Sequence, residues 1–305
     1  MGRVATEHHG VQLQSTKEQT MRIGAHVSAA TSADLAIDRA MDIGAEAVQV
    51  FASPPQGWSF KPVDEKVAAD FKIKAREHNI GPNVLHAIYL VSLGSDDEAL
   101  VNRGKGSLKK YMNAAGDIGA MGVIFHLGSH KGKGFEAVLD QVASNIKDVL
   151  AESPDDVLLM LENSAGMGNH IGSKFSELGT MMHEIDDPRV KVCLDTQHSF
   201  AAGYDLTTPE SVANVMLEFD HEIGLQHLSA VHCNDSKPPL GGAVDRHENI
   251  GEGQMGISAF EAIIANHAFK DVPFYLEVPG FENKGPDVQN IETVKEIRER
   301  LGVPL

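Results

Sequence analysis

The strongest constraint on the fold is an eightfold alternation. From residue 21 onward, short β-rich runs alternate with polar turns and amphipathic stretches. The runs fall at 22–27, 47–52, 83–89, 122–127, 157–162, 190–196, 228–234 and 274–278. Their starts are roughly 25 to 46 residues apart, the length of one βα unit. The first amphipathic stretch has helical period: Ala33, Ile37, Ala40, Met41 and Gly44 share one face, with Asp34, Asp38 and Asp42 on the other. Eight such units with no break in composition predict a single-domain α/β fold over residues 21–305, a (β/α)8 TIM barrel. A doubly wound open sheet is the alternative use of the same units. Residues 1–20 are polar and read as a disordered tail.

Bulk composition narrows the function classes. No run approaches the ~20 apolar residues of a membrane span, and the N-terminus has no apolar signal core. Cys193 and Cys233 both lie in apolar runs, and two thiols cannot build a disulfide framework, so a reducing cytoplasm is expected. The net charge of −17, from 26 basic and 43 acidic residues, argues against a basic coat for nucleic acid. Bound divalent cations would invert that sign locally.

Nearly every run ends in an ionisable side chain where an apolar one would be expected. These are His26, His86, His126, Glu162, Asp195, His232 and Glu277. In a barrel all strand C-termini meet on one face, so residues far apart in sequence converge. Two loops add ligand types. His198 follows Asp195 by three residues, and Asp245 and His247 share one side of an extended segment. Taken singly, each has a structural explanation: a hydrogen-bonded rim histidine, or an acid capping the next helix. Together, four carboxylates with few Lys or Arg beside them require a counter-charge, and metal supplies it. The candidate set is five imidazoles (His86, His126, His198, His232, His247) and four carboxylates (Glu162, Asp195, Asp245, Glu277). Such mixed N/O donors favour zinc, iron or manganese over magnesium or calcium. Nine ligands exceed one ion and suit two or three.

His78, His183, His221 and His267 lie in charged helical stretches and are expected to be solvated, whereas His130 and His170 sit on post-strand loops within reach of a substrate. No Gly-rich phosphate loop of P-loop or Rossmann spacing follows a strand.

Six stretches carry a family resemblance: Gly24-Ala-His-Val-Ser-Ala-Ala30, Phe125-His-Leu-Gly-Ser-His130, Leu161-Glu-Asn-Ser-Ala-Gly-Met-Gly168, Cys193-Leu-Asp-Thr-Gln-His-Ser-Phe-Ala-Ala-Gly-Tyr-Asp205, His232-Cys-Asn-Asp-Ser-Lys237 and Asp245-Arg-His-Glu-Asn-Ile-Gly-Glu-Gly253. In order, from about residue 21 to the C-terminus, they resemble the endonuclease IV family of abasic-site endonucleases. The resemblance implies three zinc ions, with manganese or iron in part. One would sit on His86, His126 and Glu162; a second on Glu162, Asp195, His232 and Glu277; the third on His198, Asp245 and His247. It further implies hydrolysis 5′ to an abasic site in double-stranded DNA by a zinc-activated hydroxide, leaving a 3′-hydroxyl and a 5′-deoxyribose phosphate. Glu162 would be central to catalysis, 3′-blocked ends would be further substrates, and the chain would be a monomer without an obligate protein partner. His26, Tyr89 and Leu90 match DNA-contacting positions. The segment Ser53-Pro-Pro-Gln-Gly-Trp58 departs from the family, with Gln56 where an Arg commonly helps wedge the duplex open. Two other readings remain open on sequence alone: a sugar isomerase or epimerase of the xylose-isomerase-like barrels, and a non-catalytic binder of damaged DNA with structural zinc.

Overall fold

In the computed structural model, which describes residues 21–304, the apolar runs form short strands. They are β1 (Ile23–His26), β2 (Val48–Phe51), β3 (Val84–His86), β4 (Gly122–His126), β5 (Leu158–Glu162), β6 (Val190–Asp195) and β7 (Leu228–His232). A two-residue hairpin comes next, β8 (Asp235–Ser236) with β9 (His247–Glu248), and β10 (Phe274–Leu276) completes the set. The eight long strands close into a barrel in the order β1-β10-β7-β6-β5-β4-β3-β2, every pairing parallel. The barrel is thus the outcome, and the open sheet is excluded. The expected tail at 1–20 lies outside the described residues.

Several strands are shorter than the apolar runs suggest. β3 ends at His86 rather than at 89, and β10 at Leu276 rather than at 278, because the chain there leaves the barrel for its functional loops. Helices α1 (Leu35–Asp42), α2 (Glu65–Glu77), α3 (Glu98–Ile118), α4 (Leu139–Leu150) and α5 (Phe175–Ile185) cover the outside, each with its apolar stripe inward. After a short α6 (Thr196–Ala202) at the rim, α7 (Pro209–Glu222), α8 (Ile257–Ala265) and α9 (Val288–Arg300) close the ring. In α1, Ile37 and Ala40 are buried as expected, but Met41 is 43% exposed. Asp34 and Asp38 on the outer face both pair with Lys74 of α2.

Alternation along each strand builds the interior in layers. Ala47, Val84, Ile124, Met160, Cys193, Ala230 and Tyr275 pack together as a cluster of their own inside the barrel. Gly24 takes the corresponding place on β1, in register with Tyr275, where a Cβ would lie 2.6 Å from the Ala47 carbonyl. Two residues further along each strand, the next inward layer reads His26, Gln49, His86, His126, Glu162, Asp195, His232 and Glu277. One apolar layer is followed by one that is wholly polar.

Candidate metal centre

Glu162, at the end of β5, is the hub of that polar layer and is 1% exposed. Its Oε2 lies 3.1 Å from His86 Nε2 and 3.4 Å from His126 Nε2. Its Oε1 lies 2.9 Å from His232 Nδ1 and 3.3 Å from His198 Nδ1. His232 Nδ1 is also 3.3 Å from Glu277 Oε2 and 3.7 Å from Asp195 Oδ2. Asp245 faces two rings at once, Oδ2 at 3.4 Å from His198 Nε2 and Oδ1 at 3.4 Å from His247 Nε2. Three groups of donor atoms result, each within 4.8 Å of one another: His86, His126 and Glu162; Glu162, Asp195, His232 and Glu277; Asp195, His198 and His247. The third borders Asp245 as well as Asp195, so both carboxylates flank the imidazole pair.

The local sequence explains how these side chains are held. Asp195 is the N-cap of α6: its Oδ1 accepts from the His198 backbone N–H at 2.7 Å, and its Oδ2 faces the cluster. The capping role of this strand-end acid is thus observed, and it leaves the second oxygen available to the cluster. Asn234 donates from Nδ2 to Asp195 Oδ2 at 2.8 Å and accepts from the Glu277 backbone N–H at 2.8 Å. His198 Nδ1 lies 2.9 Å from the Asn163 carbonyl, and His86 Nδ1 lies 2.7 Å from the Ala87 carbonyl. Such outer contacts fix ring orientation.

Asp245 and His247 arrive on the segment that enters β9, and Asp235 of β8 anchors the turn beyond that strand. Its carboxylate accepts backbone N–H bonds from Ser236, Gly251, Gly253 and Met255 at 2.7–3.1 Å. A Cβ on Gly253 would fall 2.4 Å from Asp235 Oδ1, so the approach requires glycine. That close approach is what the Gly-Glu-Gly253 turn supplies.

The acids and imidazoles of the cluster shift one another: the carboxylates around them raise His198 and His232 well above the ordinary imidazole value despite burial. Burial alone would raise the Glu162 carboxyl, but the surrounding His126, His232 and His198 imidazoles hold it well below the usual range. Glu277 behaves alike, burial being outweighed by His232, His26 and His86. Burial pushes Asp195 up and brings His126 down to about 4. Asp245, with His198 and His247 outweighing its burial, falls to about 2. Among the described residues, no Lys or Arg lies within ion-pair distance of these four carboxylates.

The donor set fits divalent metal. His198 Nε2 and His247 Nε2 are buried without a hydrogen-bond partner, an arrangement that is costly unless something else binds them. Ligands at zinc distances of ~2.0–2.1 Å in a tetrahedron lie about 3.3 Å apart. Four separations of 3.3–3.4 Å lie near that edge and exceed a good N–H···O bond, while His86 and His232 meet Glu162 at 3.1 Å and 2.9 Å, within hydrogen-bond range.

The family model described as Xylose isomerase-like TIM barrel matches residues 37–301. A protein of Haloarcula marismortui named "probable endonuclease 4" is 38% identical over 278 residues, covering 91% of this chain and 99% of the relative. Another of that name, from Natronomonas pharaonis, is 39% identical over 279 residues, covering 92% and 99%. The chain belongs to the endonuclease IV family. The crystal structure of endonuclease IV from Thermus thermophilus superposes with a TM-score of 0.81 at 30% identity, covering 92% of this chain and 99% of that one. A D-tagatose 3-epimerase-like protein superposes at 0.72 with 17% identity, which shows a shared barrel only.

Around this centre of an endonuclease IV family member lies a pocket of about 370 Å³, lined by Tyr89, His126, Glu162, His198, Asp245, Arg246, His247 and Glu277. Tyr89 is 52% exposed, its ring 5.7 Å from those of His86 and His126, and partial desolvation together with the nearby Glu277, Glu162 and Asp245 carboxylates pushes its pKa up. Leu90 beside it is half-buried against the core, and Gln56 is exposed on the neighbouring loop, where the Pro55 carbonyl accepts from the Tyr89 N–H. His26 sits within the polar layer, its Nδ1 3.1 Å from Glu277 Oε1. His78, His183, His221 and His267 are exposed, as their helical settings predict.

One residue of the polar layer was missed by sequence reasoning. Gln49 on β2 is fully buried and bonded to His26, Glu277 and His232. Its signal was a lone polar side chain two residues after Ala47, in phase with the other strand ends.

Proposed function

We propose that this chain hydrolyses the phosphodiester 5′ to abasic sites in double-stranded DNA, with three zinc ions held by His86, His126, Glu162, Asp195, His198, His232, Asp245, His247 and Glu277. The observation that carries the reading is the pair of buried, unpartnered imidazole nitrogens of His198 and His247 facing Asp245, beside two further donor groups joined through Glu162. Zinc there supplies positive charge against a phosphate and acidifies water toward a pKa of ~7. Glu162 keeps two donor groups at one spacing, since its two oxygens face different imidazoles.

The surrounding residues supply binding. Tyr89 lines the pocket and Leu90 follows it in the chain, and together they would meet the gap left by a missing base. Arg246, exposed at the same pocket, offers a guanidinium to phosphate. With nine-ligand occupancy the local formal charge becomes positive, which reconciles a −17 chain with a polyanionic substrate. Gln56 in place of Arg reduces the wedge on the duplex, so distortion is weaker while the metal chemistry is retained. DNA with 3′-blocked ends is a further substrate, and the chain acts in the cytoplasm as a monomer. A sugar isomerase of the same barrel would leave the Asp245–His247 segment without a task.

Incision of a labelled duplex carrying one abasic site, before and after chelation and zinc add-back, tests this. Cleavage on the 5′ side that returns with zinc supports it. Zinc-replete protein that leaves the strand intact would overturn it.

A further inference from the structure

Gln49 is a buried amide among charged groups, and its orientation is forced. Its Nε2 lies 2.6 Å from Glu277 Oε1 and 2.9 Å from His26 Nδ1. A carboxylate oxygen only accepts, so the amide nitrogen must be on that side. The amide oxygen then faces His232 Nε2 at 2.8 Å, and only an N–H there can meet it. His232 Nδ1 is left pointing at Glu162, Asp195 and Glu277.

We propose that Gln49 is the positioning residue of the cation site formed by Glu162, Asp195, His232 and Glu277. It holds His232 as the Nε2–H tautomer, so that Nδ1 is the ligating atom. It also ties back Glu277 Oε1, so that Oε2 is the oxygen turned toward the ion. One amide thereby presets two ligands from β7 and β10, using both its donor and its acceptor. The inference rests on the metal-binding reading above and adds a residue to it.

The test uses the full chain, stripped of metal and titrated with zinc against a chromophoric chelator. Wild type is compared with Gln49→Met, which keeps the volume and loses both hydrogen bonds, and with Gln49→Glu, which keeps the acceptor and loses the donor. In the Met variant one of the bound zinc ions weakens by about 10- to 100-fold while the others are unchanged. Long-range nitrogen NMR of the zinc-loaded proteins shows His232 bound through Nδ1 with its proton on Nε2 in wild type and in Gln49→Glu, and a mixture of ligating nitrogens in Gln49→Met. In Gln49→Glu, zinc affinity still falls, because Glu277 is no longer tied back. A Gln that merely fills space predicts no change in Gln49→Met, and wild-type zinc affinity at every site in that variant overturns the proposal. If wild type itself takes up no zinc, the functional reading falls with it; full zinc uptake by wild type and by both variants rejects the role of Gln49 alone.

Discussion

The two ends of the barrel handle buried charge in opposite ways. At the N-terminal end, Arg298 of α9 is 1% exposed and binds Glu46 through two bonds, 2.6 Å and 2.9 Å. The pair is tied in further: Arg298 donates to the Met21 carbonyl, and Glu46 accepts from the Ile23 N–H. Charge and hydrogen bonding are closed within the chain, as a structural ion pair requires. At the C-terminal end four carboxylates and five imidazoles meet with no Lys or Arg partner among the described residues, and two buried ring nitrogens lack a hydrogen-bond partner. The chain balances itself where it needs only to be stable. Where it leaves the balance to imidazoles alone, it offers donor groups that could hold an external cation.

The largest expected effect comes from breaking the open end. Glu162→Gln removes the carboxylate shared by two donor groups, and incision falls by about 10³-fold or more, equivalent to about 4 kcal/mol of lost transition-state stabilisation. Its thermal midpoint in the metal-free state stays within a few degrees of wild type, as read by circular dichroism. Breaking the closed end gives the reverse pattern. Arg298→Met strands the Glu46 charge and lowers stability by about 3 kcal/mol, seen in denaturant melts, with zinc content per folded chain unchanged.

Acidification separates the ends further. Burial would raise the Glu46 carboxyl, but Arg298, the Ile23 amide and Lys295 hold it below its ordinary value near 4.5. A depressed folded pKa means that its stabilisation is complete above about 4.5 and is lost as pH falls through the lower folded value. The melting temperature of wild type therefore drops across that acid window, and Arg298→Met flattens the contribution. An identical acid slope in both proteins would show that the pair is not the source. The smallest effect is at the rim: Gln56→Arg tightens abasic-duplex binding by several-fold and steepens its salt dependence by about 0.9 in log–log slope, one added phosphate contact. Binding no tighter than wild type would count against a wedge role for this position.

The barrel and the convergence of the candidate donors were legible because both follow simple periods. Strand ends two residues past an apolar inward position carried His or acid in seven of eight strands, and closure of the barrel did the rest. Gln49 was not legible, because an amide in Val-Gln-Val-Phe looks like a flaw in an apolar run. Its meaning depends on His232, 183 residues away, which only closure brings to it. The β8–β9 hairpin escaped notice because two residues per strand leave no alternation to read, although the shared side of Asp245 and His247 was anticipated. Met41 misled the first helix, since a helical face wider than the contact leaves its edge in solvent.

Native mass spectrometry of the purified full chain, counting bound metal, addresses the central claim that external cations complete the open end. The account predicts three zinc ions per chain, lost on chelation and regained on add-back. A folded chain that incises abasic DNA with no metal bound would contradict it.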